Sequence, residues 1–269
     1  MDLVVCGIAG RMGGAVARVI QQTRGVKLVG AVDRPRSPRL GKDAGEVVGV
    51  GKLGVTVSDK IGLHLKGNVA IIDFTRPAAS LGYLRDAAKR GIPIVVGTTG
   101  FTVREWSEIK KLSRRTRALV APNMSVGVNL LLGLLGGVAR SLGEEYDVEI
   151  IEMHHRFKKD APSGTALALG RAIAGEWKRD LNKVGVYGRK GLVGERGKKE
   201  MGMLAVRAGD TVGEHSVIFG GLGERIEFVH RAHSRETFAR GALRAALWLG
   251  KQKKGLYSMQ DVLRLGKSG

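Results

Sequence analysis

The stretch Glu152-Met153-His154-His155-Arg156-Phe157-Lys158-Lys159-Asp160-Ala161-Pro162-Ser163-Gly164-Thr165 puts two adjacent imidazoles and three cations directly before a Ser-Gly-Thr helix start. An imidazole exchanges protons near neutral pH, an ammonium supplies a point charge and a proton, and the amides and hydroxyls of a helix start attract a carboxylate. That combination suits the binding of a small polyanion and the transfer of a proton on it. In an extended segment successive side chains face opposite sides, so His154 and His155 must take different roles, one as proton donor and the other as binder or orienter. Lys158 is the second proton source, and Ser163, Gly164 and Thr165 are the candidate carboxylate grips. Two other readings stand beside this one. The histidines could be a structural pair, or with Asp160 they could bind a metal, although the segment lacks the spaced pairs of zinc sites and its cations would oppose a metal ion.

A second chemical signal is Gly7-Ile8-Ala9-Gly10-Arg11-Met12-Gly13 at the N-terminus. An apolar run, Leu3 to Cys6, precedes it and an amphipathic stretch follows. Strand, glycine turn and helix in that order let backbone amides approach a pyrophosphate, with glycine wherever a Cβ would block the turn, the phosphate or the strand. Asp33 lies about twenty residues past Gly13, where an acceptor for the adenosine ribose belongs. Arg34 and Arg36 follow it and suit a 2′-phosphate, so both NADH and NADPH are expected cofactors. Gly97-Thr98-Thr99-Gly100 and Ala121-Pro122-Asn123-Met124 follow later apolar runs, at positions where an open α/β sheet meets its ligand. They read either as the nicotinamide side of the site or as a plain turn and a domain linker.

The elements that must hold these residues follow from periodicity. Leu3–Cys6, Val26–Val32, Val69–Phe74, Ile92–Val96 and Ala118–Ala121 read as strands, with helices at Gly13–Thr23, Ala78–Arg90 and Val103–Ser113 between them. Alternation of this kind gives a doubly wound parallel sheet. From about Asn123 the character changes to a long apolar helix, Val126–Leu142, and a strand, Asp147–Met153. A helix from Ser163 to about Lys178 follows, then strands at Gly202–Arg207, Glu214–Phe219 and Glu224–Ala232. The expected organisation is a dinucleotide-binding domain over residues 1–125, a smaller α+β domain with a mixed sheet over 126–234, and a return to the first domain over 235–269, led by a helix at Arg235–Leu249.

Composition bounds the partners. With 269 residues and 43% hydrophobic content the chain can build two cores, and no apolar run reaches membrane-spanning length, so no membrane partner is expected. The single cysteine, Cys6, excludes an internal disulfide and reads as a small buried hydrophobe in a cytoplasmic protein. The net charge of +20 favours anions. Its one local concentration, Lys178, Arg179, Lys183, Arg189, Lys190, Arg196, Lys198 and Lys199, has few aromatics for base stacking, so no specific nucleic-acid partner is expected.

At these motifs the chain resembles the 4-hydroxy-tetrahydrodipicolinate reductase (dihydrodipicolinate reductase) family. The likeness runs nearly end to end, through the Gly7 turn, Asp73-Phe74-Thr75-Arg76-Pro77, Gly97 to Phe101, Asn123 to Asn129, the His154 to Thr165 motif, Gly213-Glu214-His215 and Gly223-Glu224-Arg225-Ile226. The resemblance implies a Rossmann-like domain beside a smaller α+β domain whose sheet builds a homotetramer. It implies that Gly7, Ile8, Ala9, Gly10, Arg11 and Met12 bind the pyrophosphate and that Asp33 and Arg34 face the ribose. Gly97, Thr98, Thr99, Ala121, Pro122, Asn123 and Met124 would line the nicotinamide side. It implies further that His154 is the acid/base, Lys158 the proton donor, and His155, Gly164 and Thr165 the grips on a small dicarboxylate substrate; no metal is expected from the residues themselves. Where the family often carries Glu and Phe, this chain has Asp33 and Met124.

Overall fold

Alternation of β-branched runs and amphipathic stretches produces, in chain order, β1 (Asp2–Cys6), α1 (Arg11–Gln21), β2 (Lys27–Val32), α2 (Ala44–Val48), β3 (Val57–Ser58), β4 (Val69–Asp73), α3 (Pro77–Arg90), β5 (Ile94–Val96), α4 (Val103–Ser113) and β6 (Arg117–Val120). The second half adds α5 (Val126–Leu142), β7 (Asp147–His154), α6 (Gly164–Glu176), α7 (Leu181–Val184), β8 (Gly185–Val186), β9 (Met201–Arg207), β10 (Gly213–Gly220) and β11 (Arg225–Ala232). The last elements are α8 (Glu236–Leu249), β12 (Gly255–Tyr257) and α9 (Met259–Leu263). The computed structural model describes residues 1–265. It divides into two units, one formed by Met1–Val126 with the chain from Arg235 onward and the other by Gly127–Ser234.

In the first unit seven strands pair in the order β12-β6-β5-β4-β1-β2-β3, every neighbouring pair parallel. The chain winds outward from β1 in one direction and then restarts at β4 on the other side. The crevice outside the carboxyl ends of β1 and β4 is therefore the switch point where folds of this kind bind ligands. Both faces of the sheet are apolar, as a parallel sheet covered by helices requires. Leu3, Val5 and Ile72 pack with α1 and α8 residues such as Val16, Ile20 and Leu249, while Val4, Ile71 and Ile94 pack with Leu84 and Ile109 on the opposite face. α4 starts on a reciprocal cap, with Thr102 accepting from the Glu105 N–H and Glu105 accepting from the Thr102 N–H.

In the second unit the sheet order is β11-β10-β7-β9-β8. β7 pairs parallel with β9 and antiparallel with β10, so the sheet is mixed. Burial alternates along β7 and β10, placing Val148, Ile150, Glu152 and His154 on the covered face beside Gly213, His215, Val217 and Phe219. The apolar members pack with Leu169, Ile173, Met201 and Met203. Burial of each large apolar side chain contributes roughly 1.5–3 kcal/mol, so one half of these strands anchors the polar half that continues from it.

Several elements differ from the periodicity reading. α2, β3, α7, β8, β12 and α9 are two to five residues long, too short to show a period. β5 begins at Ile94 rather than Ile92 because Pro93 has no N–H to give a ladder, although its carbonyl still accepts from Ile71. Ser163 is the cap of α6 rather than its first turn. Asp43 organises a loop that periodicity leaves blank, accepting from the amides of Gly45, Glu46, Leu53, Gly54 and Val55, and these bonds hold its carboxyl below the usual range.

Candidate active site

In the first unit Gly7 ends β1 with φ +78°, a conformation that favours glycine. A Cβ on Gly13 would lie 2.1 Å from the Gly7 carbonyl oxygen, so close approach of helix to strand demands glycine there too. Gly7 and Ile8 donate their N–H groups to the Val32 carbonyl, and Gly10 donates to Gly7. Ile8 is fully buried, and its N–H is held by the Val32 carbonyl. Gly10 caps α1 without a side chain, no acidic residue occupies the first turn, and the first-turn amides have no partner within the helix. Ala9, Gly10 and Arg11 are exposed at this end and Met12 is half-buried. The turn fits an anion, the pyrophosphate of a dinucleotide included, through open amides and the positive end of the helix. Asp33 follows β2 with one carboxylate oxygen taken by the Ser37 hydroxyl at 2.6 Å, and Arg34 and Arg36 are exposed beside it.

At the carboxyl ends of β4 and β5 the structure assembles a hydroxyl cluster around buried Asp73. Thr75 donates to one oxygen at 2.6 Å and Ser80 makes a short bond to the other. Thr98 accepts from the Thr75 N–H at 3.1 Å and meets the Ser80 hydroxyl at 2.8 Å. Burial outweighs these bonds and pushes the Asp73 carboxyl up to about 6. The hydroxyl of Thr98 is thus turned inward, while Gly97 is half-buried and Thr99 exposed. Phe74 covers Gly97 so closely that a Cβ there would come within 2.1 Å of the ring. Met124 is 1% exposed and packs in the core with Ala239 and Ala242. Its side chain therefore belongs to the core and not to a ligand surface. Ala121 is buried as well, whereas Pro122 is exposed and Asn123 half-buried.

In the second unit strand register builds the site. His154 ends β7 beside Arg207 of β9, and Glu152 lies beside His215 of β10. His154 Nδ1 is 2.6 Å from Glu152 Oε2. Arg207 binds both Glu152 oxygens through its two Nη atoms at 2.8 Å, and the Ser163 N–H also donates to Oε1 at 3.0 Å. Burial works to raise the Glu152 carboxyl, but the bonds from Arg207, His154 and Ser163 outweigh it and leave it below its ordinary value. Burial lowers His154, with Glu152 opposing and Lys158 and Arg207 reinforcing the shift. The imidazole is neutral at rest beside an ionised carboxylate. His215 meets His154 edge to face at 5.1 Å and is brought down to about 3 by burial and by His154.

Lys158 sits in the loop after β7, with Nζ 2.9 Å from both oxygens of Asp160, leaving one of its three N–H donors for a further anion. His155 is half-buried on the side opposite His154, and its Nδ1 is buried without a hydrogen-bond partner. Ser163 is placed differently from the sequence expectation. It is 2% exposed, its N–H is spent on Glu152, and its hydroxyl accepts from Ala166 and pairs with His215 Nε2 at 3.1 Å. It therefore holds the start of α6, with Gly164 exposed and Thr165 half-buried next to it. The basic run is likewise partly consumed. Arg179 pairs with Glu144, Arg189 with Glu149 and Glu200, and Arg196 with Asp147 and Glu149.

Glu152, Arg207, His215, Asp73 and Ser80 were not among the site residues expected from sequence. Glu152 carried a usable signal, since it shares strand parity with Val148, Ile150 and His154, and a carboxylate on a covered face needs a cation.

Comparison with known proteins bears on both units. Residues 1–124 match the family model described as dihydrodipicolinate reductase, N-terminus, and residues 127–263 match the one described as dihydrodipicolinate reductase, C-terminus. A 4-hydroxy-tetrahydrodipicolinate reductase of Syntrophus aciditrophicus (strain SB) is 51% identical over 98% of each chain, and one of Geobacter sp. (strain M21) is 50% identical over 98% of this chain and 99% of its own. In fold, the chain is similar to the dipicolinate-bound dihydrodipicolinate reductase from Paenisporosarcina sp. TG-14, with a TM-score of 0.75, 24% identity, and coverage of 97% of this chain and 98% of that one.

Proposed function

The chain belongs to the dihydrodipicolinate reductase family, and on that premise we propose that it reduces 4-hydroxy-tetrahydrodipicolinate to tetrahydrodipicolinate, in diaminopimelate and lysine biosynthesis, using either NADH or NADPH. Membership makes it an oxidoreductase with a nucleotide-binding Rossmann domain. The observation that carries the finer reading is His154, a neutral imidazole tied at Nδ1 to an ionised carboxylate, in one loop-and-strand assembly with Lys158 and the start of α6.

Loss of the substrate's 4-hydroxyl as water gives the conjugated imine ring, to whose C4 a bound reduced nicotinamide would supply a hydride. The chain's own residues supply the rest. Gly7, Gly10, Arg11 and Met12 hold the pyrophosphate at the open end of α1, with Ala9 beside them, while Asp33 accepts from the ribose and Arg34 meets a 2′-phosphate. Gly97, Thr99, Pro122 and Asn123 form the nicotinamide side. Gly164 and Thr165 grip one substrate carboxylate, and His155 and Lys158 supply positive or hydrogen-bonding partners to the dicarboxylate. Lys158 then gives a proton to the reduced ring, and His154 moves the proton that completes tautomerisation. Lys158→Ala is expected to lose turnover, and His155→Ala and Thr165→Ala chiefly substrate affinity. In this reading the second unit also forms a homotetramer through its sheet, and the enzyme works in the cytoplasm. Among the described residues no helix is long and apolar enough to cross a membrane.

The test is an absorbance assay of reduced-cofactor consumption with freshly generated 4-hydroxy-tetrahydrodipicolinate. The expected result is oxidation of NADH and of NADPH that depends on the substrate, inhibited competitively by dipicolinate. Absence of substrate-dependent oxidation with both cofactors contradicts the proposal.

A further inference from the structure

β7, β9 and β10 bring a carboxylate, a guanidinium and an imidazole to one strand end, with every donor of the carboxylate identifiable. Glu152 Oε1 accepts from Arg207 Nη2 at 2.8 Å and from the Ser163 N–H at 3.0 Å. Oε2 accepts from Arg207 Nη1 at 2.8 Å and faces His154 Nδ1 at 2.6 Å. Glu152 is 1% exposed and ionised, so it has no hydrogen to give. Nδ1 must therefore carry the proton. On β10 a Cβ at Gly213 would come within 2.9 Å of His154 Nε2, so glycine there makes room for the ring.

We infer that Glu152, clamped by Arg207, is the positioning residue that fixes His154 as its Nδ1–H tautomer and thereby makes Nε2 the atom that exchanges a proton with the substrate. This rests on the reading of His154 as the acid/base. The other groups acting on the imidazole support the assignment. The cations Lys158 and Arg207 disfavour a resting imidazolium, Asp160 neutralises Lys158 at 2.9 Å, and His215, held neutral by burial, presents its ring edge to face at 5.1 Å. Glu152 stabilises the imidazolium that forms in turnover and opposes the depression caused by burial.

Replacement by glutamine tests this with a defined geometric consequence. Two fixed donors, Arg207 Nη2 and the Ser163 N–H, point at the Oε1 position, so the single amide oxygen of Glu152→Gln stays there and its NH2 turns toward His154. Nδ1 then becomes an acceptor and the proton moves to Nε2. Nitrogen NMR of histidine-labelled protein, with the His154 signals assigned by their loss in His154→Ala, reads the tautomer directly. The wild-type protein is expected to show a protonated Nδ1 and a bare Nε2 at neutral pH, and Glu152→Gln the reverse. The variant's His154 pKa is expected to fall, carrying the corresponding limb of the pH–rate profile with it. Its kcat is expected to fall roughly ten- to a thousandfold, part of the two to four decades that a positioned acid/base supplies, with the KM for reduced nucleotide little changed. A wild-type His154 protonated on Nε2 overturns the inference even if the variant fails to fold. An unchanged tautomer and pH profile in a folded Glu152→Gln overturn it as well. If His154→Ala retains wild-type turnover, the acid/base reading fails instead, while the tautomer measurement still decides what Glu152 does.

Discussion

Each unit buries a carboxylate near the carboxyl end of a strand, and the two titrate in opposite directions. Asp73 on β4 is met by the hydroxyls of Thr75 and Ser80, and burial raises its carboxyl to about 6. Glu152 on β7 suffers the same burial, but a bidentate guanidinium, an imidazole and an amide bring it below its ordinary value. Hydroxyls stabilise a carboxylate without cancelling its charge, whereas a cation cancels it at close range. The hydroxyl cluster thus suits a rigid support that positions Thr98 and the Gly97 loop, and the cation-bound carboxylate suits a permanent negative charge behind His154.

The strongest test of that difference removes the cation. Arg207→Met leaves a buried carboxylate without its main partner and is expected to cost about 3–5 kcal/mol of folding stability, measured by urea unfolding near neutral pH. An unchanged midpoint and slope would mean that Arg207 contributes nothing to holding Glu152 ionised. A third strand-end carboxylate, Asp33, sharpens the contrast because Ser37 takes one of its oxygens and exposed arginines follow it. Arg34→Ala is expected to weaken NADPH by about 1.5–3 kcal/mol, reduced at high salt, while leaving NADH nearly untouched. Calorimetric titration with each cofactor reads this, and equal losses for both would place the phosphate contact elsewhere.

The histidine packed against the Glu152 cluster gives a pH signature. His215 is lowered in the folded state from 6.5 to about 3, so between those values the unfolded chain binds a proton that the folded imidazole refuses. Its contribution to stability is therefore lost as pH falls through that window, with a slope approaching about 1.4 kcal/mol per pH unit. His215→Gln should flatten the acid side of a stability–pH curve, and a slope unaltered by the substitution would show that the ring is already charged or already solvated. Asp73 behaves with the opposite sign, because its folded state keeps a proton between 3.8 and about 6 and its charge penalises folding above that range. Asp73→Asn, which imitates the neutral form, is accordingly expected to be better tolerated at about pH 8 than at about pH 4.5, by on the order of 2 kcal/mol or less. Equal cost at both values would remove the distinction between the two carboxylates.

The fold was legible wherever a segment was long enough to repeat. β1 reads as a continuous apolar run and α5 as a long apolar helix, α3 and α4 follow from period 3.6 and β7, β10 and β11 from period 2, and Gly7 and Gly13 stand where positive φ and close approach require glycine. The short pieces α2, β3, β8 and β12 are fixed by partners distant in sequence, as β12 is by β6. The site divides in the same way. His154 and Lys158 announce themselves by residue type within one motif. Arg207 lies more than fifty residues beyond Glu152 and meets it through β7–β9 register, which no local spacing records. Ser163 and Thr98 have the right chemistry for ligands but spend it on His215, Ala166 and the Asp73 cluster, a fact visible once their hydrogen bonds are counted.

The central claim is that His154 exchanges a proton with the substrate from a seat built by Glu152. Steady-state turnover of His154→Ala with freshly generated 4-hydroxy-tetrahydrodipicolinate tests it most directly. The account predicts a loss of roughly two to four decades in kcat with affinity for the reduced nucleotide preserved, as for an enzyme deprived of its general acid/base. Turnover close to that of the wild-type enzyme would contradict it.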